Sequence, residues 1–231
     1  MFFTIKRLLQ LMFFAGISLL SFASLAHGVD DNTKEFLSQS SGAQLIPFMY
    51  IGAKHMITGY DHLLFLVGVI FFLYRPKDVL LYVSLFTLGH SLTLLFGVLN
   101  NIQVNAYLID AIIGLSVVYK GFDNLGGFER WFGVSPNAKL AVIIFGLFHG
   151  FGLATKLQDF QLKEDGLLEN LLAFNVGVEI GQFIALGFIL LAINYWRSHH
   201  TFEHFSTGVN TLLMSGGMML IGYHGAGYVF N

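Results

Sequence analysis

The side chains with chemical capacity are few, and most stand in apolar surroundings. His55, Asp61 and His62 fall in the run His55-Met-Ile-Thr-Gly-Tyr-Asp-His62, directly before Leu63-Leu-Phe-Leu-Val-Gly-Val-Ile-Phe-Phe-Leu73. His90, Asp110, His149, Glu179 and His224 lie inside or near the ends of further apolar segments. An ionisable group within hydrocarbon costs about 2.5–3.5 kcal/mol even on lenient insertion scales, so each position is a functional suspect. The sequence holds no cysteine, which removes disulfides, thiolate metal sites and cysteine nucleophiles together. What remains is imidazole and carboxylate, ligands that suit divalent ions of intermediate to hard character.

Spacing sharpens this. His55 and His62 are seven residues apart and share one helix face. Seven residues of straight helix span about 10 Å, too far for both rings to bind one ion at ~2.0–2.1 Å. Either the two are successive stations on a path, or the helix opens between them, with Gly59 as the residue that permits it. Asp61 lies about 100° round from His62; it turns toward the site, or it pairs with Lys54 or a neighbouring helix. His90 has Thr87 one turn before it and Ser91 and Thr93 close by, and His149 is flanked by Gly146, Gly150 and Gly152. Asn175, Glu179 and Gln182 form a polar stripe at spacings of four and three. His55, Asp61, His62, His90, His149 and Glu179 are expected at overlapping depths, as one metal site opening outward. Asp110 (with Gly114 one turn on), Asn175, Gln182 and His224 are expected beside it or along its path. The His199, His200, Glu203, His204 cluster is read as a solvated loop, and Met214, Met218 and Met219 as packing.

These residues need a scaffold. Of 231 residues, 55% are hydrophobic and only 11% charged, against about a quarter charged in soluble domains; the composition is that of a membrane protein. A net charge of −2 without a basic tract excludes a nucleic-acid partner. Residues 1–26 read as a signal peptide: Lys6 and Arg7, the apolar stretch Leu8 to Leu20, then Ser24-Leu25-Ala26. Cleavage there leaves His27 as a new N-terminus, where amine and imidazole together can chelate. Residues 27–44 read as a polar extracytoplasmic tail, and 45–231 as a six-helix transmembrane domain, all-α and polytopic. Its apolar segments are roughly 45–74, 78–99, 104–123, 138–157, 168–195 and 207–226, each able to supply the ~20 residues of a span. The first is long enough for its start, Leu45 to Lys54, to lie along the outer surface or to bend at Gly52, and short connections make consecutive helices antiparallel. Basic residues place Arg75, Lys77, Lys120, Arg130, Lys139 and Arg197 inside, with both mature termini outside. Trp131 and Trp196 then fall near the inner interface. Gly146 with Gly150, and Gly177 with Gly181, are spaced to let helix backbones approach.

Taken together, His55-x5-Asp61-His62 with Gly59, Gly89-His90-Ser91, Phe148-His149-Gly150-Phe151-Gly152 and Phe174-Asn175-Val176-Gly177-Val178-Glu179 resemble the HupE/UreJ membrane proteins. The resemblance runs from about residue 45 to the end. The pattern has proline after its first histidine, where Met56 stands here, as in a divergent branch. The resemblance implies a nickel, sometimes cobalt, permease tied to hydrogenase and urease maturation, with His55, Asp61 and His62 in the motif needed for uptake. The expectation is therefore a non-enzymatic inner (plasma) membrane carrier of Ni²⁺ or Co²⁺, with Zn²⁺ as an alternative ion. Its partners would be lipids, the ion and metalloenzyme maturation proteins. With no phosphate loop in the sequence, energy comes from a gradient or a partner. Two rivals stand beside it. One is an intramembrane zinc hydrolase using three histidines and Asp61 or Glu179 as base, although no His-Glu-x-x-His is present. The other is a metal-binding accessory or sensor protein without transport.

Overall fold

A computed structural model describes residue 36, residues 41–158 and residues 163–230. The expected signal peptide, His27 and most of the polar tail lie outside the described residues. Eight helices make up the rest: α1 (Leu45–Thr58), α2 (Tyr60–Ile70), α3 (Pro76–Leu99), α4 (Ala106–Asn124), α5 (Gly127–Phe132), α6 (Ala138–Gln158), α7 (Leu167–Arg197) and α8 (Thr201–Phe230). Among the described residues there is no strand, as an all-α reading requires.

Local chemistry explains the boundaries. Pro76 opens α3, where its missing N–H is no loss. Asn105 caps α4 by accepting from the Leu108 N–H at 3.1 Å, and Asn137 caps α6 by accepting from the N–H groups of Lys139 and Leu140 at 3.1 and 3.2 Å. The short α5, which the sequence did not announce, is bracketed by Gly126 and Gly133 at φ 67 and 65, a left-handed conformation that favours glycine. It leaves Trp131 and Phe132 exposed while Phe128 packs on Tyr119 and Phe122.

The first apolar segment does not bend at Gly52, which is buried inside α1. It breaks at Gly59, whose φ −75 and ψ 91 are extended. The Gly59 N–H closes α1 on His55 O at 2.9 Å, and its carbonyl starts α2 by accepting from Leu63 N–H at 3.0 Å. At the far end of α2, the Arg197 guanidinium donates to the carbonyls of Ile70, Phe71 and Leu73. These carbonyls lie at and just beyond the helix end, where intrahelical donors run out.

The helices are apolar outside and mixed inside. On α3, Leu81, Leu88, Leu92, Phe96 and Leu99 are exposed, while Val83, Phe86, Thr87, His90, Leu94 and Gly97 are buried. That pattern suits a lipid solvent, in which polar groups turn inward. Three helices, Pro76–Leu99, Ala138–Gln158 and Leu167–Arg197, are long and apolar enough to cross a membrane. Six were expected. The Gly59 break divides the first segment into two short helices, α4 carries Asp110, Lys120 and Asp123, and α8 is diluted by glycine, Asn210, Ser215 and His224.

Close packing joins helices that are not consecutive in sequence: α1 with α7, α3 with α6, and α4 with α8. Glycine makes each seam. A Cβ on Gly52 or Gly177 would strike the backbone of Phe174 or Met49, and one on Gly89 or Gly146 the backbone of Ile143 or Phe86. A Cβ on Gly114 would meet Gly217 O at 2.9 Å. Residue numbers rise together across the first two seams, so those helices run parallel; across the third they run opposite. Exchanging the first three apolar segments for the last three maps this pairing onto itself, as in inverted three-helix repeats.

Candidate functional site

The site begins at the Gly59 break. It folds His55, at the end of α1, back toward His62, in the first turn of α2, and their ring centroids lie 5.1 Å apart. Of the two arrangements the spacing allowed, the opened helix is the one found. Around His62 stand His149 of α6 at 4.8 Å and His90 of α3 at 6.1 Å. His62, His90 and His149 are all buried. Four helices thus bring one imidazole each to a single layer.

Hydrogen bonding fixes which ring nitrogens face inward. Asp61 Oδ1 accepts from the His62 backbone N–H at 2.9 Å and lies 2.8 Å from His62 Nδ1. An ionised carboxylate only accepts, so Nδ1 carries the proton and Nε2 keeps its lone pair. His149 Nδ1 likewise donates to Phe145 O at 2.7 Å, leaving Nε2 as the acceptor. The Nε2 atoms of His55, His62 and His149, and Nδ1 of His90, are buried without a hydrogen-bond partner. Buried polar atoms are rarely left so, and a carboxylate behind an imidazole is the usual outer support of a metal-ligating histidine. Among the described residues, no three His, Asp or Glu groups already stand as a set that holds a metal ion. The imidazoles meet as rings, edge to face, rather than as closed ligands.

A second layer lies one helical turn along each of three helices. Phe65 follows His62 on α2, while Phe86 and Phe145 precede His90 and His149 on α3 and α6. Phe65 packs on Phe86 at 5.4 Å and on Phe145 at 5.7 Å, and Phe86 touches the His62, His90 and His149 rings. Since α2 runs opposite to α3 and α6, all three phenylalanines fall on the same side of the histidines.

The other expected residues divide. Asn175 and Gln182 of α7 face α3: Ser91 Oγ donates to Asn175 Oδ1 at 3.0 Å, and Thr87 Oγ1 pairs with Gln182 Oε1 at 2.8 Å. Glu179 departs from its expected place. It is exposed, whereas Asn175 and Gln182 are buried, because it sits about 60° round the helix from Gln182 and the stripe splits between two faces. Asp110 and His224 meet each other rather than the histidine layer, with His224 Nδ1 3.7 Å from Asp110 Oδ2. Lys156 joins them, which the reading of the sequence missed; its Nζ lies 3.0 and 3.1 Å from the two Asp110 oxygens. The only hint was its spacing of seven from His149. His199, His200 and His204 are exposed. Met214 packs at Gly121, as expected, while Met218 and Met219 are exposed.

No curated protein and no solved structure matches the chain. The family described as HupE / UreJ protein matches residues 31–231, which cover the break, both layers and every helix above. The chain is a member of the HupE/UreJ family.

Proposed function

We propose that this protein carries a divalent transition-metal ion inward across the membrane through the histidine layer, with Ni²⁺ or Co²⁺ as cargo. One observation carries this: four imidazoles from four helices converge, each with a buried nitrogen that has no hydrogen-bond partner. Imidazole nitrogens would replace part of the ion's water, with Asp61 orienting and polarising His62. Such donors bind Ni²⁺, Co²⁺, Zn²⁺ and Cu²⁺ alike; the preference for nickel or cobalt rests on the family resemblance, as does a link to hydrogenase or urease maturation proteins.

The topology in this reading is six crossings, with α1 and α2 together forming the first. Basic residues then place both mature termini outside in the inner membrane, after removal of residues 1–26. The phenylalanine layer lies on the cytoplasmic side of the histidines and seals it, so ions reach the layer from outside. The swapped pairing of the helix seams supports transport by rocking of one three-helix unit against the other.

His62 is the hub, and its substitution is the test. His62→Ala should abolish metal-dependent uptake in cells while the protein still reaches the membrane in normal amount. Uptake at the wild-type rate by His62→Ala would overturn the proposal.

A further inference from the structure

Asp110 is buried on α4, and its carboxylate is held by Lys156 of α6 and approached by His224 of α8. Gly152, one turn before Lys156, lets α4 come close: a Cβ there would meet Ile109 at 2.9 Å. The Lys156 ammonium lies almost equally far from both carboxylate oxygens, at 3.0 and 3.1 Å. That is the bisecting position a chelated cation takes on a carboxylate. His224 supplies an imidazole at the same carboxylate, with only 4% of its side chain exposed. Lys156 is different; 26% of its side chain is exposed, and its four-carbon stem is flexible. The ammonium therefore has a way out, whereas Asp110 and His224 do not.

Position gives the group a purpose. Along α6 the order is Phe145, His149, Lys156. The Asp110 group thus lies on the side of the histidine layer away from the phenylalanines, about 10 Å along the axis from His149. A cation moving toward the histidines on that side meets the Asp110–Lys156 pair and His224 first.

We propose that Asp110 and His224 form a second site for a divalent transition cation, an outer station, and that Lys156 occupies it as a tethered substitute until an ion displaces the ammonium. This rests on the transport reading for its purpose, but its binding chemistry stands alone. In apo protein the ammonium neutralises Asp110, whose charge is costly when buried unpaired. An arriving ion takes over that task, and Lys156 swings outward.

Binding stoichiometry tests it. The full-length chain in detergent is dialysed against Co²⁺ alone. Lys156→Gln should fill this site at a lower free Co²⁺ concentration than wild type, where the ammonium competes, and the double variant Lys156→Gln, Asp110→Asn should bind one ion fewer per chain at saturation. Co²⁺ should also raise the melting temperature of Lys156→Gln, through binding to the folded state, and this rise should be smaller in the double variant. An unchanged binding curve in Lys156→Gln means that Lys156 only staples α6 to α4, and overturns the outer station. Wild type binding no ion while Lys156→Gln binds one would instead overturn the histidine site and keep this one. If Lys156→Gln does not fold, His224→Ala with Lys156 intact decides. The outer station requires an increase of about tenfold in KM for Co²⁺ uptake with the maximal rate largely kept; an unchanged KM contradicts it.

Discussion

At the scale of residues, His62 is defined by what lies behind it. Asp61 holds its Nδ1 proton at 2.8 Å, so the lone pair of Nε2 points into the layer. Asp61→Asn keeps an acceptor oxygen but loses the charge that polarises the ring. Such outer-support changes cost about 10–100-fold in metal affinity, and equilibrium dialysis of Co²⁺ against the purified variant should read a loss of that order. The same lone pairs make the site sensitive to acid. Protons and metal compete for the ring nitrogens, so binding is strongest where the imidazoles are neutral and is lost as pH falls. Co²⁺ affinity should fall as the pH is lowered, and an affinity that rises toward acid would show that imidazole is not the ligand. The sequence disclosed these histidines because polar groups are conspicuous in an apolar chain. It did not disclose the role of Asp61, since the direction of a side chain beside a helix break depends on ψ at Gly59, not on spacing. Glu179 misled for the complementary reason: a spacing of four, then three, leaves the three side chains spread over an arc, and packing alone decides where a face ends.

At the scale of elements, the decisive feature is one interrupted helix. A straight helix from 45 to 70 would separate His55 from His62 by about two turns; the break brings their rings to 5.1 Å. Gly59 is needed less for its backbone angles, which other residues also adopt, than for room. A Cβ there would lie 2.9 Å from His62 Nδ1 and 3.0 Å from His55 O. Gly59→Ala should therefore weaken metal binding by shifting His62. Gly187→Ala, where nothing lies within 4 Å of the added carbon, should leave binding intact and stabilise α7 by up to about 1 kcal/mol through helix propensity. Thermal melting and dialysis of the two variants side by side separate these effects; equal behaviour would remove Gly59 from the account. Hydrophobic runs matched the limits of α3, α4, α6 and α7 closely because apolar length dominates the signal, but the first run hid the break and α8 begins at Thr201, well before its run at 207. The seams between non-consecutive helices were not legible. Glycine spacing at Gly146 and Gly150, or Gly177 and Gly181, marks a face as close-packing but does not name the partner helix.

At the scale of the whole molecule, three layers follow one another along the bundle: the Asp110, Lys156, His224 group, the four imidazoles, and the phenylalanines. Charged, imidazole and apolar layers in that order suit the proposed path, which admits a cation from one side and is sealed on the other until the helices rock. A binding protein without flux would need the imidazoles but not the path. Transport into sealed vesicles separates the two most directly. Purified protein reconstituted in proteoliposomes that enclose a metal-responsive dye should admit Co²⁺ and Ni²⁺ at a rate that saturates with external concentration, and His62→Ala vesicles should match protein-free ones. Tight, stoichiometric binding with no entry above the protein-free rate, when a proton or ion gradient is imposed in either direction, would contradict carriage and leave a metal-binding membrane protein in its place.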